Sequence, residues 1–248
     1  MIAEREGMSE SSSRHFALFL TSLSSGAETK MFNGAYPYLA ARKLASADDE
    51  DTSKPTPEAY RIVFKKWIFA PIHTIQVMAD PIGVKHLFSQ ARADVALNIL
   101  RPDKIVRGEL EKLDANGDKK GYLRVARTIP GFYAHYFQAC TSDYPQPSSR
   151  VIFSVSTDGM CLFLLNDSKA STMNGREEIV AFSFERIRRW KYVENEGVFA
   201  WEYFFGANSE GGRWVTLKTE QVSAMQPKIK NKNKNGILML FWGDSLWT

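Results

Sequence analysis

The residues best suited to chemistry in this sequence each fail on spacing. Asp114-Ala115-Asn116-Gly117-Asp118 begins like a calcium-binding loop. Such a loop needs glycine at its sixth position for a sharp turn and a bidentate glutamate at its twelfth. Those positions hold Lys119 and Val125, so the segment reads as a polar loop between helices. His15, His73, His86 and His135 are far apart in sequence, and none has a partner at metal-ligand spacing. Each is expected at the surface or at the edge of a core. Cys140 and Cys161 are too few for a disulfide framework or a four-ligand metal site. No serine or cysteine is paired with a base at a recognisable spacing. The glycine-rich stretch 206–212 joins two strands, whereas a phosphate cradle joins a strand to a helix. The reading is therefore a non-enzyme with no metal or cofactor, which acts by binding.

Composition narrows what it binds. The chain has 248 residues, 44% hydrophobic and 24% charged, with a formal net charge of +4. That is enough for one large domain or two to three small lobes. The charge tolerates acidic partners or a membrane surface without demanding them. With no basic helix or aromatic-basic repeat beside it, it is not a nucleic-acid footprint. No run approaches the roughly 20 apolar residues of a membrane span, and Met1-Ile2-Ala3-Glu4-Arg5-Glu6 lacks the apolar core of a signal peptide. Scarce cysteine fits a reducing compartment, and a cytoplasmic protein is expected.

The elements that would carry a binding surface lie mostly between residues 178 and 218. Ile179 to Phe184, Ile187 to Val193, Val198 to Phe204 and Arg213 to Lys218 are rich in aromatic and β-branched residues, with turn residues between them. Phe199/Trp201/Tyr203 and Arg188/Trp190/Tyr192 alternate, as in half-buried strands. Tyr133 to Cys140, Val151 to Ser156 and Met160 to Leu165 add three more strands, the last two joined across Asp158-Gly159. The count reaches seven. Before them, residues 80–128 are helical. Asp80-Pro81 is a helix start, with Val84, Leu87, Phe88, Ala91, Val95 and Leu100 at three- and four-residue spacing. Pro102-Asp103 opens a second helix carrying Ile105, Val106, Leu110 and Leu113, and Lys120 to Arg127 a third. Phe16 to Leu20 and Tyr60 to Phe69 read as strands, separated by an acidic loop around residues 48–57; residues 1–15 are polar.

Several of these stretches resemble the FERM-like part of the PX-FERM sorting nexins, which are endosomal cargo adaptors. They are Ile-Val-Ala-Phe-Ser-Phe-Glu-Arg-Ile-Arg-Arg-Trp from Ile179, Phe-Ala-Trp-Glu-Tyr from Phe199 and Arg-Trp-Val-Thr-Leu from Arg213. Phe-Ala-Leu-Phe from Phe16, Lys-Trp-x-Phe from Lys66 and Arg-Thr-Ile-Pro-Gly-Phe from Arg127 extend the likeness backwards. The resemblance implies an α+β fold in four parts. Residues 1–70 would be a partial ubiquitin-like lobe and 71–131 a small helical lobe. Residues 132–226 would be a phosphotyrosine-binding or pleckstrin-like β-sandwich of seven strands, followed by an atypical tail at 227–248. The opening hairpin and main helix of the first lobe would be missing, and Pro227 would break the closing helix. The gene is thus expected to continue in both directions. The chain alone should be poorly stable, with Val63, Trp67 and Phe69 bare.

The family's functional surface is the open edge of the fifth strand, beside the closing helix. It binds Asn-Pro-x-Tyr or Asn-x-x-Tyr sequences of receptor cytoplasmic tails by strand addition. Carried over, the site is Arg188, Arg189, Trp190, Lys191, Tyr192 and Val193, with Val222 and Met225 from the helix. Trp190 would be a flat apolar wall, a core position being the competing reading for it. Arg189 and Lys191 would favour an acidic or phosphorylated tail. The resemblance also implies a peripheral place on early endosome membranes. Endosomal phosphoinositides and recycling-complex subunits are its further candidate partners. Two alternatives remain open: a phosphoinositide-binding module using Arg186, Arg188 and Arg189, and a membrane-cytoskeleton linker.

Overall fold

The structure, a computed structural model, describes residues 2–22, 28–31, 36–39, 60–67, 70–156, 159–165, 176–206 and 211–219. The acidic loop, Phe69, Asp158, Val222, Met225 and the tail therefore lie outside the described residues. The chain divides into two compact units, Met1–Tyr133 and Ala134–Thr248.

The first unit opens with two short helices, α1 (Ile2–Arg5) and α2 (Glu10–Ser13), where the sequence suggests only a polar lead-in. Met8, Ser12 and His15 are buried there. Three antiparallel strands follow, β1 (Phe16–Ser22), β2 (Glu28–Lys30) and β3 (Tyr60–Lys66), in the order β2-β1-β3. The register sets Phe16 opposite Lys66 and Leu18 opposite Phe64. Strand side chains alternate, so Phe16, Phe64 and Lys66 share one face. Phe16 and Phe64 stack, with centroids 5.2 Å apart, and belong to the cluster formed with the helices. On the other face Phe19 packs against Trp67, with Lys65 over the first ring and Lys30 over the second. Val63 and Trp67, expected to be bare, are half-buried for this reason.

Four helices complete the unit: α3 (Pro71–Met78), α4 (Pro81–Ala96), α5 (Lys104–Ala115) and α6 (Lys119–Ala126). The first of these is absent from the sequence reading. Its buried face pairs Thr74 with Val77 while its apolar Ile72 and Ile75 are exposed, so no apolar stripe announces it. Each of the other three begins with an aspartate whose side chain accepts the orphan backbone N–H groups of the first turn. Asp103 takes Val106 N at 2.8 Å, and Asp118 takes Gly121 N at 2.8 Å. The calcium-like run thus supplies a helix cap. Asp80 takes Ile82 N and Gly83 N, and also Ser9 N at 2.7 Å from 71 residues away. Burial works against its charge, but the Ser9 hydrogen bonds and those of α4 win and hold its carboxyl well below the usual range. Val84, Leu87, Phe88 and Ala91 are buried as their spacing predicts. Leu100 is also buried, but past the end of α4, and Ile105 is 83% exposed, contrary to the expected stripe on α5.

Two buried bases tie α3 to the sheet. Lys66 is 1% exposed and its ammonium lies 2.7 Å from Thr74 Oγ1, within 5.4 Å of the Phe132 and Tyr133 ring centres. Burial pulls its pKa down to about 7, Arg127 acts in the same direction, and Asp94 opposes them. His15 Nε2 lies 2.8 Å from Gln76 Oε1, and the His73 ring stands 4.6 Å away. These histidines, far apart in sequence, are therefore neighbours, and His15 is interior where a surface or core-edge place was expected.

The second unit is a continuous seven-stranded antiparallel sheet. Its strands are β4 (His135–Ser142), β5 (Ser149–Val155), β6 (Gly159–Leu165), β7 (Arg176–Ser183), β8 (Ile187–Val193), β9 (Val198–Tyr203) and β10 (Arg213–Lys218). The order is β7-β6-β5-β4-β10-β9-β8. Only Leu217↔Ser142 and Lys218↔Thr141 join β4 to β10. At this seam the sheet folds over. Phe153 of β5 lies 5.6 Å from Trp201 of β9, and Phe182 of β7 lies 5.1 Å from it. Those strands are not ladder neighbours, so their rings meet, tilted or edge-on, across the core of a sandwich. Asp143 clamps the seam by accepting Thr216 N at 2.8 Å. Gly197, at φ 61, turns the chain from β8 into β9 where a Cβ would meet Thr219 O at 2.8 Å.

Two outcomes are expected from this packing. Asp80→Ala should cost about 2–3 kcal/mol, because it removes a helix cap and a charged acceptor for Ser9. Chemical denaturation of the two proteins checks this, and an unchanged unfolding midpoint would contradict it. Lys66 gives a pH signature. Its folded pKa lies below the unfolded value near 10.4, so the unfolded chain binds more protons between about pH 7 and 10. Stability should then rise with pH across that window and be flat for this group below it. Lys66→Met should abolish the slope and raise the melting temperature at neutral pH; equal slopes in thermal melts of both proteins would refute the assignment.

Candidate functional site

Strand β8 ends the sheet and pairs on one side only among the described residues, with β9. The sheet has a second end strand, β7, which the expectation of a single open edge overlooks. What distinguishes β8 is its side chains. The register runs Ile187↔Tyr203, then Arg189↔Glu202, Trp190↔Trp201, Lys191↔Ala200, Tyr192↔Phe199 and Val193↔Val198. One residue too many stands between the first two pairs, so Arg188 and Arg189 together oppose Glu202 in a β-bulge. The simple alternation Arg188/Trp190/Tyr192 is thus corrected: the bulge breaks it after Arg188.

Beyond the bulge the two faces are unlike. Trp190 and Tyr192 lie on the face of Trp201 and Phe199, which is the core face. Their rings stack nearly parallel, 14° apart with centroids at 6.0 Å. Trp190 is half-buried and packs on the aromatic core, whereas Tyr192 is 41% exposed. The two proposed roles of Trp190, core residue and wall, therefore meet in one half-buried position. Its centroid is 6.4 Å from that of Phe199.

The outer face is polar. Arg189 Nε lies 2.7 Å from Glu202 Oε2, and that carboxylate is 7% exposed. A buried charge needs a partner, and Arg189 supplies it. Both Arg189 and Lys191 also stand over the Trp214 indole, at 5.3 and 5.1 Å from its centre. Arg189 is therefore already engaged, which weakens its expected role toward an acidic tail. Arg186, Arg188 and Lys191 have no carboxylate partner among the described residues. Val193 closes the strand half-buried. Val222 and Met225 fall outside the described residues.

Trp214 and Glu202 escaped the sequence reading. Their only signal is the pairing Trp214↔Glu202 between β9 and β10, which a strand-by-strand pattern does not contain. Elsewhere, no group of three metal-capable side chains occurs among the described residues. An open depression in the first unit is lined by Ser9, Gln76 and Asp80, but that carboxylate already accepts three backbone N–H groups. No helix among the described residues is long and apolar enough to cross a membrane.

Known proteins share this architecture. Residues 133–232 match the family described as the Sorting Nexin 17 FERM C-terminal domain. Sorting nexin-17 of Danio rerio is 22% identical over 160 residues, which is 64% of this chain and 30% of that protein. Sorting nexin-31 of Homo sapiens is 24% identical over 135 residues, 54% of this chain and 29% of that protein. The chain thus spans about a third of the length of these relatives. Among solved structures, the MyTH4-FERM MF2 domain of Dictyostelium discoideum myosin VII superposes with a TM-score of 0.60 at 12% identity, covering 90% of this chain and 52% of that one. The FERM domain of Drosophila Merlin, solved in complex with its C-terminal domain, gives 0.52 at 10% identity, covering 88% and 80%. At such identities the likeness is one of fold. Taken with the match over residues 133–232, it shows a FERM-like fold whose sandwich is similar to the C-terminal FERM lobe of the sorting nexins.

Proposed function

We propose that the protein is a non-enzymatic adaptor in endosomal sorting, which takes the cytoplasmic tails of receptors as extended peptides along β8. The division foreseen in the sequence goes with this proposal: a partial ubiquitin-like lobe, a helical lobe and a peptide-binding sandwich. The carrying observation is the side of β8 that no described strand pairs, next to an aromatic wall of Trp190 and Tyr192. Backbone N–H and C=O groups on a free strand edge give affinity to any extended chain, and adjacent side chains decide which one. A tyrosine or asparagine-proline turn at the peptide's end fits such a wall, since stacked or edge-on rings prefer centroids about 4.5–7 Å apart. The similarity to sorting nexins 17 and 31 supports the endosomal setting.

The wall is the informative place to test. Trp190→Ala should weaken binding of an Asn-Pro-x-Tyr peptide by about 2 kcal/mol, roughly thirtyfold. Calorimetry on the whole chain measures it, with thermal melts run in parallel because Trp190 also packs on the core. Loss of affinity with the fold intact supports the reading. If the wild type ignores such peptides at millimolar concentration while remaining folded, the adaptor reading fails.

A further inference from the structure

The distribution of charge around β8 says more about the peptide, and this step rests on the reading of β8 as a docking edge. A strand added to β8 would set its alternate side chains beside those of β8, directly opposite ones with Cβ atoms about 4.5–5.5 Å apart. On the core side its neighbours would be Trp190 and Tyr192. On the outer side they would be the β8 cations. Arg189 contributes little there, because Glu202 holds it at 2.7 Å and the Trp214 ring lies under it. Lys191 is exposed and, among the described residues, rests on that indole, and Arg188 is exposed in the bulge. The bulge therefore sets two arginines against one glutamate, and the surplus charge stays at the strand's edge. The exposed carboxylates nearby, Glu185 and Glu196, lie before and after the strand rather than along it.

We propose that the occupant of β8 is an extended peptide with two unlike faces: apolar or aromatic residues beside Trp190 and Tyr192, and aspartates or glutamates beside Lys191 and Arg188. Opposite charges across a strand pair stabilise it and like charges oppose it. A neutral peptide forgoes that gain, and a basic one is repelled. The cations are strung along one strand edge, with a buried glutamate behind them. That suits a narrow ligand better than the broad face of an anionic membrane.

The test compares two labelled peptides with one Asn-Pro-x-Tyr core, flanked at alternate positions by aspartate in one and by serine in the other. Fluorescence anisotropy with the whole chain should show the acidic peptide binding about five- to twentyfold tighter at low salt. The gap should narrow as salt screens the exposed charges. Arg188→Glu with Lys191→Glu should reverse the preference, and Arg188→Gln with Lys191→Gln should erase it. Thermal melts run in parallel check that both double variants remain folded. The glutamine pair keeps the test sound if the reversed charges disturb folding. Equal affinity for the two peptides overturns this inference but leaves the docking edge standing. Binding of neither overturns the docking edge itself. An acidic preference that survives both double variants, or cations that matter only for capture by phosphatidylserine vesicles, also overturns it.

Discussion

The contact among Phe153, Phe182, Phe199 and Trp201 is what the second unit depends on. Neither half of the sheet has a reason to exist without it. Strands β4 to β7 expose one apolar face and β8 to β10 another, and the seam between the halves is only two residue pairs long. Hydrogen bonding at so short a seam cannot hold the halves together. Their closure rests on ring area removed from water, each large aromatic burying about 150–250 Å². Trp201 is fully buried, and its indole N–H has no hydrogen-bond partner among the described residues. An unmade hydrogen bond costs about 1–3 kcal/mol. That the indole is nevertheless interior shows how far ring burial outweighs it here.

The same core fixes the character of the edge. Because Trp201 and Phe199 face inward, their ladder partners Trp190 and Tyr192 do too, and Lys191 must face out. The bulge allows Ile187 to be inward as well. In a regular strand, residues three apart such as Ile187 and Trp190 would lie on opposite faces. Edge strands of natural sheets are commonly protected by bulges and charged side chains against pairing with chance partners. Strand β8 has both.

Much of this was legible in the sequence, and the reasons differ by element. Helices α4 and α5 announce themselves by an aspartate before a periodic run, a local signal that needs no tertiary context, whereas the cap of α6, Asp118, is hidden in the calcium-like run. Strands of the sandwich are legible because aromatic and β-branched residues alternate between turn residues. The number of strands, seven, is legible by counting them, but their order in the sheet is not. What stayed hidden is non-local. Helix α3 shows no apolar stripe, since its buried face mixes Val77 with Thr74, and two of its ties are polar: Thr74 with Lys66 and Gln76 with His15. The bulge at Arg188 depends on β9, and the Arg189–Glu202 pair spans 13 residues. Ser9 meeting Asp80 joins segments that no window of sequence views together. A lysine at position 66 reads as a surface residue until its neighbours are known.

The pairing of β4 with β10 makes the first strand of the sandwich wait for the last. During translation β5, β6 and β7 can add to β4 as they leave the ribosome, since each hairpin is local. Their aromatic face then has nothing to cover it until β9 brings Trp201 and β10 supplies the seam. At about 5–20 residues per second the nascent half-sheet stays open for several seconds. Long-range closure of this kind is slow compared with helix formation. A half-sheet presenting Phe153 and Phe182 to solvent is a natural client for a chaperone, so the yield of this module in cells would depend on protection during synthesis as much as on final stability.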